Sequence, residues 1–379
     1  MYSSSMQASI RVAAAGLAAL AVAMGIGRFA FTPLLPMMQD DAGVSLAQGG
    51  YLAAANYLGY LVGALWAVRR VRPQLAIRAA LVAIVLSTLG MGLAHDFVSW
   101  LVLRFIAGVA SAWALVYVSS WCLERLALLR RPTLNSVVFT GVGTGVLIAG
   151  VICLALMSAH ASSSGAWIGL GALSLVVAAV VWPVLGVDGS DARPATQGGM
   201  RWTSDSLRLV LCYGAYGFGY IIPATFVPVM AKQVIADPRL FGWAWPIFGL
   251  TAAISTLLAG PLARAYGNRR VWSASAIAMA LGVVSPVLFP GLSGILLAAV
   301  LVGATFVVIT LLGVQEARRI AGDRAPPLVA AMTAGFALGQ VAGPLSVTFV
   351  VERQGFAAAL LFAALLLVLS AIALLKEKP

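Results

Sequence analysis

"GIGRFAFTPLLPMM", residues 25–38, and "GFGYIIPATFVPVM", residues 217–230, lie over one another when the chain is shifted by 192 residues. Gly25 and Gly27 fall on Gly217 and Gly219, Pro36 on Pro228, and Met38 on Met230. Two further stretches repeat at nearly the same distance. Gly141, Gly145 and Ala149 match Gly335, Gly339 and Gly343 at a shift of 194, and Gly108 matches Gly303 at 195. Near-constant offsets over three pairs of segments mark a tandem duplication, so the second half of the chain builds again what the first half builds.

The medium in which it builds follows from composition. The chain has 379 residues, 61% hydrophobic and 9% charged, with a mean hydropathy of +0.99. A soluble domain carries about 25% charge, so this is an integral membrane protein with the lipid bilayer as its surroundings. The net charge of +12 does not point to nucleic acid, because the basic residues fall in short clusters between apolar runs. Cys122, Cys153 and Cys212 each sit inside an apolar run with no CxxC pair, and read as small buried hydrophobes rather than disulfides or metal ligands. His95 and His160 fall in loops, and no phosphate-binding glycine loop precedes a helix. Neither an enzyme nor an ATP-driven pump is expected, nor any cofactor or metal.

A span needs about 20 apolar residues. Candidates run over 13–37, 46–68, 75–94, 97–123, 134–157 and 166–186, and then over 207–231, 240–263, 271–289, 291–317, 327–351 and 355–375. Between the two sets lies "VDGSDARPATQGGMRWTSD", residues 187–205, the one long polar break. The expected fold is therefore all-α: twelve transmembrane helices in two pseudo-symmetric six-helix bundles, 1–186 and 206–379, with 187–205 as a cytoplasmic linker. If both termini are cytoplasmic, 19 of the 24 lysines and arginines fall on cytoplasmic segments and three outside, Lys232, Arg239 and Arg353. Arg28 and Arg104 fall within spans. That asymmetry fixes the orientation, and a missed span would scramble every later cluster. Arg11 followed by "VAAAGLAALAVAM" can be read as a secretory signal or as an uncleaved first helix. The twin of this helix in the second half favours the uncleaved helix, so the mature chain is expected to begin at or near Met1.

Two six-span parallel repeats about a polar loop resemble the major facilitator superfamily of transporters, and the motifs extend the resemblance. "GPLARAYGNRR", 260–270, is similar to the loop signature of that superfamily, with Gly260, Leu262, Gly267, Arg269 and Arg270 in place and Arg264 where the family has an Asp. "GALWAVRRVR" after the second span keeps Gly63 and Leu65, with Ala67 at the acidic position. Arg104 and Gly108 in "LVLRFIAGVASA" resemble the fourth-span signature, and "GFALGQVAGP", 335–344, resembles the glycine-rich signature usual in the fifth span of exporters. "GIGRFAFTPLLPMM" looks like the first-helix signature of the YbfB/YjiJ-type bacterial members. The resemblance implies a monomeric secondary transporter of the bacterial cytoplasmic membrane with a small-molecule substrate, two halves rocking about one cavity. The glycine ridges of spans 5 and 11 are expected to let helices approach and slide. Arg104 resembles a position linked with proton coupling in exporters. Its other reading is a side chain that snorkels to the outer interface.

Arg28 is the residue that most needs explaining. Counted from Arg11 it lies about 25 Å into the membrane, but the repeat aligns Arg208 with Gly16 and brings the figure to about 18 Å, close to the midplane. A guanidinium there costs several kcal/mol. No Asp or Glu lies deep in any span; Glu124 and Glu316 sit at cytoplasmic ends. Two readings stand. Either Arg28 is structural and binds carbonyls freed around Pro33 and Pro36, or its partner is an anionic substrate held by the guanidinium fork. Its twin is Tyr220, a hydroxyl and not a second cation, which suits a single carboxylate. Tyr213, Tyr216 and Tyr220 share a face of span 7, Asn56 and Tyr60 a face of span 2, and Trp113, Tyr117 and Trp121 a face of span 4. These stripes read as helix packing or as an amphipathic cavity wall, with Gln340 as a further polar contact. Trp243 and Trp245 read as interface anchors. The expected function is transport of a small organic anion, a monocarboxylate; the alternative is a proton-coupled exporter of drugs or neutral metabolites.

Overall fold

The computed structural model describes residues 2–67, 72–185, 202–235, 237, 242–322 and 325–376. Most of the 187–205 linker and part of the basic loop after the second span lie outside the described residues. The first span, α1, is broken: Tyr2–Leu20 and Phe31–Asp41 are helices joined by a π-type turn, Ala21–Ile26. Then follow α2 (Leu46–Trp66), α3 (Pro73–Leu93), α4 (Phe97–Leu128), α5 (Asn135–Ser158) and α6 (Ser163–Val181). The second half holds α7 (Ser204–Val234), α8 (Ala244–Tyr266), α9 (Asn268–Leu288) and α10 (Leu292–Ala321). A continuous run, Ala325–Leu375, is parted at Gly355, φ +71°, into α11 and α12. No strand occurs among the described residues.

Eleven of these helices are long and apolar enough to cross a membrane, so the chain is a multi-pass membrane protein. The twelfth, α2, has 21 residues, about 31 Å of helix, which is length enough. Gln48, Asn56 and three tyrosines lower its hydropathy. Asn56, Tyr57 and Tyr60 are all buried inside the protein, whereas Tyr51 is 40% exposed, so most of its polarity is directed inward. Helix starts follow local chemistry. Ser45 and Gln48 form a reciprocal cap on α2, Asp96 and Ser162 cap α4 and α6, and Thr203 with Ser206 caps α7. The Ser99 hydroxyl and backbone N–H together hold the Asp96 carboxyl below the usual carboxylate range. Between α9 and α10 the chain turns at "FPG", residues 289–291, with Gly291 at φ +112°.

The duplication is visible in the packing. Helix α1 packs on α5 as α7 does on α11, α2 on α4 as α8 on α10, and α3 on α6 as α9 on α12. Between the halves, α5 packs on α8 and α2 on the Ala325–Leu375 run. The axis relating the halves passes between α1 and α7. There the Thr32 hydroxyl donates to the Ala224 carbonyl at 2.8 Å, and Lys232 pairs with Asp40; both pairs are 192 residues apart. A residue that touches its own twin lies on the symmetry axis. These contacts close the face opposite the chain termini, where a void of about 10 Å³ lies among Pro33, Pro228, Gly150 and Trp245, room for about one water.

The expected glycine ridges do bring helices close, but within each half. A Cβ on Gly141 or Gly145 would strike the α1 backbone at Leu17 or Ala21, and one on Gly339 would strike α7 at Phe218. Gly335 lies against Val210. The α5–α8 contact between the halves uses Gly143, Gly150 and Gly249 instead, on another face of α5.

Candidate functional site

Pro33 has no N–H to give the carbonyl four residues back, that of Phe29, and the helix cannot run smoothly through this point. The chain widens before it. Gly27 N donates to Val22 O at 2.9 Å and Phe29 N to Met24 O at 3.0 Å, five residues back in both cases, and Thr32 N reaches only Phe29 O. The break points residues 27–30 at the centre of the molecule, and α4 holds it there. Arg104 donates to the carbonyls of Gly27 at 3.3 Å and Arg28 at 3.2 Å, and Ser111 to that of Ala23 at 2.8 Å. So the freed carbonyls bind Arg104 and not Arg28. Arg104 is 1% exposed, with its guanidinium carbon 4.7 Å from the Phe31 ring centre; it does not snorkel to an interface.

Arg28 emerges from the break and is 1% exposed. Its guanidinium lies 3.9 Å from the Tyr60 ring centre and 5.3 Å from those of Tyr57 and Phe29, with Phe336 at 6.0 Å. Such face-on aromatic contacts offset part of the cost of burying the cation, about 0.5–2 kcal/mol each. Its Nη2 donates to Gln340 Oε1, and Gln340 Nε2 donates to the Tyr220 hydroxyl. Gln340, a further polar contact in the sequence reading, therefore stands between Arg28 and its twin Tyr220. The Arg28 Nε is buried with no partner among the described residues.

Tyr220 continues into an aromatic wall. Its ring is parallel to those of Phe306 and Phe336 within 7°, at 5.8 and 5.7 Å, and stacks on Tyr216 at 5.1 Å. The Tyr216 hydroxyl is taken up by Phe306 O at 2.6 Å and Thr310. Asn56 donates to Arg104 O at 2.9 Å, and a Cβ on Gly108 would strike the Asn56 backbone, so α2 and α4 are pressed together beside the site.

Arg28, Tyr220, Tyr216, Tyr60 and Gln340 are thus gathered into one cluster, with Asn56 behind it. Tyr117 stands apart: its hydroxyl donates to Ala67 O at 3.1 Å, and it lies 13 residues along α4 from Arg104, about 20 Å of helix. Trp245 is not an interface anchor. It is 1% exposed and stacks on Phe248 at 4.8 Å between the halves, whereas Trp243 is 50% exposed. The sequence reading missed Tyr57, whose hydroxyl meets Thr225 at 3.1 Å across the halves. It sits three residues before Tyr60, a spacing that places both on one helix face.

Of the loop motif, Gly267 has φ +86°, and lets α8 turn directly into α9. Arg269 joins Asp205 of α7 to Glu316 of α10, the latter at 2.5 Å, and Arg319 holds the same carboxylate at 2.7 Å. This network lies wholly within the second half. Arg270 is exposed, and Gly260 has only ordinary contacts, with Ser136 of α5 and its own Arg264. Among the described residues no three His, Cys, Asp or Glu side chains form a metal site.

Residues 20–375 match the family described as uncharacterised MFS-type transporter YbfB. An MFS-type transporter of Yersinia enterocolitica is 33% identical over 133 residues, which are 33% of this chain and 35% of that relative. One of Yersinia pestis is 30% identical over 132 residues, again 35% of its length; the chain thus covers about a third of the curated relatives it matches. The crystal structure of the nucleoside transporter NupG, a D323A mutant, superposes with a TM-score of 0.70 over 97% of this chain and 98% of that one, at 13% identity. The fold is that of the major facilitator superfamily, and the chain belongs to its YbfB-type family of transporters.

Proposed function

We propose that this chain is a secondary active transporter that works by alternating access and moves a small organic anion, a monocarboxylate, across the bacterial cytoplasmic membrane. In this reading the two halves, 1–186 and 206–379, act as rocking units, both termini and the 187–205 linker face the cytoplasm, and a single chain is the working unit. One observation carries the substrate class. Arg28 is a buried cation at the junction of the halves, and no carboxylate lies beside it among the described residues. Arg104 adds a second buried cation, held by two backbone carbonyls, with its Nε likewise without a partner among the described residues. An anion bound between the halves neutralises what the fold leaves uncompensated.

A second reading takes its support from the parallel rings of Tyr220, Phe306 and Phe336. NupG is a nucleoside transporter, its likeness to this chain is one of fold, and a wall of aromatic rings also offers stacking faces to a planar base. A thermal-shift screen of the purified protein separates the readings, with lactate, benzoate, uridine, a neutral sugar and a lipophilic cation. The anion reading expects stabilisation by a carboxylate. A charged hydrogen bond is worth about 1.5–3 kcal/mol, so Arg28→Gln should weaken that carboxylate by about one to two orders of magnitude. Arg28→Lys should recover part, since a point charge lacks the planar fork, and Tyr220→Phe should cost less than Arg28→Gln. Stabilisation by uridine, sugar or cation alone, unaltered in Arg28→Gln, defeats the anion reading.

A further inference from the structure

We infer that Gln340 is a built-in surrogate for the transported carboxylate: its carboxamide occupies Arg28 when the site is empty and yields when the anion arrives. The inference rests on the anion reading above and assigns Gln340 a part in the transport cycle.

The chemistry of the contact is one-sided. A guanidinium has donors only, so the carboxamide must present its oxygen to Arg28 and its NH₂ group to Tyr220, the orientation observed. Nε and Nη2 form one edge of the guanidinium, and a carboxylate fits such an edge with two parallel hydrogen bonds. Gln340 fills only half of it. Its Oε1 takes Nη2, and Nε is left buried with no partner among the described residues. A planar group with one oxygen stands where the edge accepts two. A monocarboxylate supplies the second oxygen and the negative charge, and so outcompetes the carboxamide, but Gln340 serves when no anion is present.

Position gives the contact its consequence. Arg28 lies on α1 of the first half, and Gln340 on α11 and Tyr220 on α7 of the second. The carboxamide therefore bridges the halves at the site itself, fully buried. With this bridge the empty protein can close around Arg28 without stranding a bare charge, a state otherwise costly. An empty carrier that can close can also return, so the protein supports net uptake as well as one-for-one exchange. The same contact taxes substrate binding, because the anion must displace it.

Proteoliposomes carrying the full chain and radiolabelled benzoate or lactate test this. Gln340→Met keeps the volume and removes both polar atoms. Its half-saturation concentration should fall about three- to ten-fold as the competitor is lost. Net uptake should fall by about ten-fold or more relative to counterflow, because the empty form no longer closes easily. Gln340→Glu places a carboxylate on Arg28 permanently and should abolish the carboxylate-induced thermal shift while the protein stays folded. The surrogate role is overturned if Gln340→Met weakens the carboxylate as Arg28→Gln does, which makes Gln340 a direct substrate contact. It is equally overturned if counterflow and net uptake fall together, as in a merely structural defect. If the parent protein responds to neither carboxylate, the anion reading fails and takes this one with it; a parental response without the split between exchange and net uptake removes the surrogate role alone.

Discussion

Arg104 and Arg28 are both buried arginines in apolar helices, yet their partners differ in kind. Arg104 binds backbone: it fills the carbonyls of Gly27 and Arg28 that the break in α1 turns away from the helix. Arg28 binds rings and a carboxamide, and in both arginines the Nε has no partner among the described residues. Removing Arg104 orphans two buried acceptors, each costing about 1–3 kcal/mol. Arg104→Met should therefore lower the melting temperature of the ligand-free protein in detergent by an amount corresponding to about 2–4 kcal/mol, and Arg104→Lys should restore part. An unchanged melting temperature in Arg104→Met would remove its role as the clamp on α1. The sequence offered Arg28 and Gln340 as candidates because a polar side chain in an apolar run is visible as such, and Tyr220 because the 192-residue shift places it on Arg28. It could not show what Arg104 binds, since carbonyls released by a backbone break carry no side-chain signature. Pro33, four residues after Phe29, was the one legible hint.

At the scale of helices, glycine position on the helix circumference decides what each contact does. Residues 141 and 145 lie about 40° apart around α5, whereas 141 and 143 lie about 200° apart. The first pair faces α1 in the same half, and Gly143 faces α8 across the halves, where a Cβ would strike the backbone of Ala253 and Gly249. The four-residue repeat Gly141–Gly145–Ala149 stood out in the sequence because it is periodic. Gly143, Gly150 and Gly249 form no such series, so the interface between the halves was not legible even though half of it lies on the same helix. The two faces should respond differently to substitution. Gly145→Leu should disrupt the first half and lower the yield of monodisperse protein in size-exclusion chromatography. Gly143→Leu should leave each half folded and monodisperse but wedge α5 from α8, and cut uptake of benzoate by about ten-fold or more if this packing recurs in each transport cycle. Equal losses of monodisperse protein from both substitutions would argue against separate roles for the two faces.

Across the whole molecule, the 192-residue shift read from the sequence reappears as geometry. Thr32 meets Ala224, and Asp40 meets Lys232, each residue touching its own twin on the axis between the halves. The fold was legible because duplication leaves constant offsets and basic clusters mark every second loop; which face the halves close was not, because closure depends on side chains meeting on the axis. In an alternating-access cycle such contacts must part, since residues on the axis at the face opposite the termini separate when that face opens. Thr32→Cys with Ala224→Cys tests this directly. The native hydroxyl-to-carbonyl contact of 2.8 Å brings the two helices together at this pair, the closeness a disulfide needs, and Cys122, Cys153 and Cys212 are buried, which limits unwanted pairing. Oxidation with copper phenanthroline should lock the pair and stop benzoate uptake in proteoliposomes, and dithiothreitol should restore it, with neither single cysteine variant affected. Full uptake by protein shown by mass spectrometry to be cross-linked would mean that the halves never part on this axis, and would leave rocking of the two halves without its hinge geometry.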